Sequence, residues 1–213
     1  MKSLTKNINR GFSLIEVAIA VLVISLVATF SLKGRELVQT AKIRAVIEQV
    51  ETFRIAVDTF EEKYGALPGD LSNAKDLIDS SLDNGSGNRK FETLSDAKRF
   101  WAHLSKAGLI NVELVNGLPT SKIGGVFTVS SKIQDKPGIW LVLSNGTADN
   151  TAFTGIVSPE TAYRIDKSID TGIPNEGDVQ VIKGNNALGE CINGSSYVFT
   201  NKNEDCVILF KIR

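Results

Sequence analysis

The chain has 213 residues, about one domain plus an appendage, and balances 24 Lys and Arg against 24 Asp and Glu for a formal net charge of 0. That balance lacks the basic excess of a nucleic-acid-binding protein. One histidine and two cysteines provide no histidine pair and no repeated cysteine spacing from which a metal centre is built.

The amino-terminal stretch carries the strongest signal. The leader MKSLTKNINRG holds Lys2, Lys6 and Arg10 and no acid, and the run from Phe12 to Leu32 contains one charge, Glu16. As a helix that run is about 30 Å long, enough to cross a bilayer core. The basic flank is expected to stay in the cytoplasm. Leu32 is followed by Lys33-Gly34-Arg35 rather than a small-residue signal-peptidase site. A basic leader ending in Gly11, then Phe12, then Glu at the fifth position counted from Phe12, resembles the type IV prepilins and pseudopilins of type II secretion.

The resemblance implies that a membrane prepilin peptidase cuts after Gly11 and methylates the new amino terminus at Phe12. Removal of the leader takes away three basic side chains and no acid, which turns the formal balance acidic. The resemblance also implies that Glu16 sets axial register in a filament by pairing with the amine of a neighbouring subunit. Within its own helix the freed amine of Phe12 lies one turn away. A carboxylate in an apolar span is costly and marks a functional pairing. The bland readings are an ordinary signal anchor and a glutamate that snorkels to the interface.

Farther along, Ile43, Val46, Val50, Phe53, Val57, Phe60 and Tyr64 recur at alternating spacings of three and four. This seam predicts an amphipathic helix packed on the chain's own globular part. Gly65 and Pro68 are stop signals. One helix is therefore expected over residues 12–64, with 12–32 in the membrane and Gly34 as a weak point at which it can bend. Tyr64-Gly65-Ala66-Leu67-Pro68-Gly69-Asp70-Leu71 is similar to the turn by which pilin-like proteins leave their long helix. Residues 72–94 read as a surface loop. Its Asp83 and Asn84 are candidate calcium ligands, although an EF-hand would need an acid where Leu94 stands. Asp166, Asp170 and Asp178 form a second candidate set. Some pseudopilins bind calcium in such loops.

Ser95 is a candidate N-cap for a helix that places Ala97, Phe100, Trp101, Leu104 and Ala107 on one face and stops at Gly108. His103 reads as a partly exposed helix residue without partners for catalysis or metal binding. Residues 125–130 and 138–143 read as a hairpin, Ser158-Pro159-Glu160 as the start of a helix reaching residue 169, and residues 179–182, 196–199 and 207–210 as further strands. The expected fold is α+β, with an antiparallel sheet packed on the long helix and residues 65–213 forming the head. Cys191 and Cys206 enclose the loop 192–205. In an exported head they suggest a disulfide, as in the C-terminal loop of many pilins; two buried thiols are the other reading.

No phosphate loop, nucleophile elbow or metal-binding histidine pair is present in the sequence, so no catalytic residue and no cofactor other than calcium is expected. The resemblance implies a subunit held in a bacterial inner membrane, leader cytoplasmic and head periplasmic. Its partners would be prepilin peptidase, an inner-membrane assembly platform and other pilin or pseudopilin subunits. The different reading is a signal-anchored periplasmic binding protein or enzyme of unknown activity.

Overall fold

Residues 11–133, 136–147 and 149–212 are described by a computed structural model of the chain. The expected leader, apart from Gly11, lies outside them. Two units divide at Ala41 and Lys42. Helix α1 (Leu14–Tyr64) provides the whole regular structure of the described part of the first unit and the opening element of the second. It runs through Gly34 without interruption. At its end Gly65 takes φ 71°, the left-handed conformation that glycine adopts without strain, and its N–H donates to Glu61 O.

In the second unit the three–four seam does what its spacing predicts. Ile43, Val46, Val50, Phe53, Val57 and Phe60 are buried and Tyr64 is half-buried. A short helix α2 (Ala74–Leu77) and helix α3 (Leu94–Lys106) follow. The N-cap of α3 is Thr93 rather than Ser95. Thr93 Oγ1 accepts from Asp96 N, while Asp96 Oδ2 accepts from Thr93 N, a closed capping box. A small hairpin joins β1 (Leu114–Val115) to β2 (Leu118–Pro119).

The main sheet is fully antiparallel in the order β3-β4-β8-β5, from β3 (Val126–Ser130), β4 (Trp140–Ser144), β5 (Val179–Lys183) and β8 (Cys206–Lys211). Helix α4 (Pro159–Ile169), capped by Ser158, lies between β4 and β5 in sequence. A short antiparallel pair, β6 (Ile192–Asn193) and β7 (Ser196–Tyr197), sits inside the cysteine loop.

Alternation along the strands sends Phe127, Val129, Leu141, Leu143, Ile208 and Phe210 into the core shared with α1 and α3. The opposite face carries Trp140, Val142, Val207 and Leu209 and is covered by Ile133 and Phe153. The sheet is thus buried on both faces, which is why β4 and β8 read as continuous apolar runs. The α+β layout matches the expectation.

Candidate functional site

The candidate site begins where α1 begins. Glu16 N and Val17 N donate to Ser13 O at 3.0 and 3.2 Å, and Glu16 Oε2 accepts from Ser13 N at 3.4 Å. Ser13-Leu14-Ile15-Glu16 is thus the reach-back half of a capping box, and a carboxylate there also meets the positive end of the helix dipole. Glu16 is exposed and Phe12 is 82% exposed.

The rest of the segment is built for an apolar solvent. Its large side chains from Leu14 to Phe30 are all exposed, and the helix is long and apolar enough to cross a membrane. The hydroxyl groups of Ser25 and Thr29 are satisfied within the helix. Ser25 Oγ donates to Val21 O at 2.8 Å and Thr29 Oγ1 to Ser25 O at 2.9 Å, so neither hydroxyl is left without a partner in hydrocarbon.

The second unit places the other expected residues. Cys191 and Cys206 form a disulfide with Cα atoms 5.4 Å apart, and both are fully buried. His103 corrects its sequence reading: it is fully buried, not partly exposed. Gly69 N donates to His103 Nδ1 at 2.9 Å, which leaves Nε2 to carry the proton and donate to Asp83 O at 2.8 Å. Burial pushes the imidazole pKa below its ordinary value, so the ring is neutral. Both nitrogens serve backbone groups, and neither is available as a base or a ligand.

Residues 68–70 and 83–89 form one knot around that ring. The buried Asp70 carboxylate accepts from Asn88 N and Arg89 N at 2.9 and 3.0 Å, and Arg99 Nε donates to Gly69 O at 2.9 Å. The stretch read as a surface loop therefore contributes Leu82 and Phe91 to the core, together with Ala74 from α2. Asp83 and Asn84 are exposed, and Asn84 Oδ1 accepts from Lys75 N at 3.0 Å.

The other three aspartates each have a different setting. Asp166 is buried; it accepts from Tyr197 Oη at 2.6 Å and Gly172 N at 3.0 Å, and burial raises its pKa against the pull of those donors. Asp170 Oδ2 accepts from Asp178 N and Val179 N. Asp178 is exposed and joins strand β8 through its backbone, its carbonyl accepting from Lys211 N. Among the described residues, no group of three or more His, Cys, Asp or Glu is placed to hold a metal ion. Sequence reasoning passed over an aromatic cluster beside this loop, in which Tyr163 meets Tyr197 and Phe199 edge-on at 5.6 and 5.4 Å.

Residues 6–32 match the prokaryotic N-terminal methylation motif, the signature of type IV pilins and pseudopilins. Neither the curated proteins nor the solved structures contain a match to the chain. The matched stretch ends inside α1, so it covers the end of the basic leader and the apolar part of α1 and does not reach the head.

Proposed function

We propose that the chain is a prepilin-type structural subunit, cut between Gly11 and Phe12 by a prepilin peptidase, methylated on Phe12 and assembled through α1 into a type IV pilus or a type II secretion pseudopilus. The observation that carries this reading is the coincidence of the methylation motif at residues 6–32 with a solvent-bare apolar helix whose first turn holds Glu16. A helix whose large apolar side chains from Leu14 to Phe30 are all exposed has to find lipid or other helices. Moving from lipid into a bundle of like helices is an assembly mechanism that requires no catalytic group in the subunit.

In this reading the membrane holds the precursor with its leader in the cytoplasm and its head outside, consistent with a disulfide-closed head. Co-expression with a prepilin peptidase tests it: the chain should lose everything up to and including Gly11, and Gly11→Glu should block that loss while the chain stays in the membrane. A chain that keeps its leader beside an active peptidase would contradict the proposal.

A further inference from the structure

Beyond the apolar span, α1 carries its charge in two blocks. Residues 33–44 hold Lys33, Arg35, Lys42 and Arg44 against one acid, Glu36. Residues 45–62 hold five acids against Arg54 alone. Among the described side chains from residue 33 to the end of α1, the exposed large apolar ones are Leu37, Val38 and Ile55. Leu37 falls in the basic block and Ile55 in the acidic one.

The two blocks share a spacing. Lys33, Leu37 and Arg44 stand four and seven positions apart, and so do Glu51, Ile55 and Glu62. Four and seven are same-face separations on an α-helix, so each trio forms a stripe of charge, apolar, charge. All six residues are exposed. The shift that carries Lys33 to Glu51 also carries Leu37 to Ile55 and Arg44 to Glu62. It amounts to about five helical turns, so it preserves the face as well as the order.

We propose that α1 of one copy docks, parallel and displaced by that shift, on α1 of a second copy, with Lys33 against Glu51, Leu37 against Ile55 and Arg44 against Glu62. This rests on the filament reading and adds a register to it. An antiparallel pairing satisfies the same charges, Lys33 with Glu62 and Arg44 with Glu51, but sets Leu37 against Asp58. Only the parallel shift matches both charges and the apolar residue between them.

Lys33 pairs with Glu36 at 3.8 Å and Glu51 with Arg54 at 3.1 Å within the chain. Both are solvent-accessible contacts between neighbours on the helix and are readily exchanged. Arg54 keeps its bond to Lys211 O at 3.2 Å when Glu51 turns to a partner. The charges set register and exclude other shifts, while the Leu37–Ile55 contact is the part removed from water.

The full chain, expressed with its native assembly machinery, tests the register. Leu37→Cys with Ile55→Cys, treated on filaments with a short bismaleimide, should give a covalent ladder beyond dimers, and neither single variant should; the native cysteines are locked in a buried disulfide. Lys33→Glu with Arg44→Glu should lower filament yield about tenfold, and adding Glu51→Lys with Glu62→Lys should restore it. Methylated wild-type filaments whose double-cysteine counterpart gives no ladder, a self-crosslink by Leu37→Cys alone, or normal assembly of the charge-reversed pair would overturn the register while leaving the filament reading intact. A wild-type chain that forms no filament in that setting overturns both.

Discussion

His103 illustrates what a single residue contributes. It joins α3 to the turn that ends α1 and to residue 83 through two backbone hydrogen bonds. Its pKa in the fold lies below the ordinary 6.5, so the unfolded chain binds the extra proton first. The stability it confers is therefore complete above 6.5 and is lost as pH falls through the folded value. The urea midpoint of the detergent-solubilised chain should fall between about pH 7.5 and about pH 5. His103→Gln, whose amide can accept from Gly69 and donate to Asp83, should reduce that pH slope.

Gly85 is a second test at this scale. A Cβ there would lie 2.2 Å from the carbonyl carbon of Asp70. Gly85→Ala should cost about 1–3 kcal/mol by overpacking, read from the same urea titration. Neither role was legible in the sequence, because both partners are distant along the chain and no periodicity connects residue 103 with 69 or residue 85 with 70.

Among the elements, those set by local pattern were legible. The seam from Ile43 to Tyr64, the Ser158-Pro159-Glu160 start of α4 and the β3–β4 hairpin each declare themselves within a short stretch of chain. The start of α3 was read at Ser95 because any Ser or Thr can cap; Asp96, three positions after Thr93, is what selects the observed cap. The β1–β2 hairpin was missed although its signal is present. Asn116-Gly117, with φ of 53° and 84°, is the dipeptide of a tight hairpin turn.

Two measurements probe the elements. Phe53 joins α1 to the rest of the core, edge-on to Trp101 at 4.7 Å and to Phe127 at 5.3 Å. Phe53→Ala should cost about 3–5 kcal/mol in unfolding free energy. Replacing Cys191 and Cys206 together by Ala opens the loop that their disulfide closes and should cost about 3 kcal/mol in the chain-entropy model, with the urea midpoint as readout.

At the scale of the whole molecule, the chain joins a segment whose large apolar side chains are exposed to a unit that buries nearly all of its own. That contrast was legible from the start, since a run from Phe12 to Leu32 with one charge cannot be a soluble surface. Which surfaces of the head meet other molecules was not legible, because exposed polar residues carry no periodic signature. Glu16 links the two levels. It closes the first turn of its own helix, and the filament reading also has it answer a neighbour's amine. Glu16→Gln keeps an acceptor for Ser13 N but removes the charge. If charge pairing sets register, Glu16→Gln should leave helix content unchanged by circular dichroism and lower the fraction of chain in sheared filaments.

The central claim is tested most directly by the mass of the N-terminal peptide from protein taken from its native membrane. The account predicts a peptide that begins at Phe12 and carries one added methyl group. A peptide beginning at Met1, or near Lys33, would contradict it and leave a signal-anchored or secreted domain in place of a filament subunit.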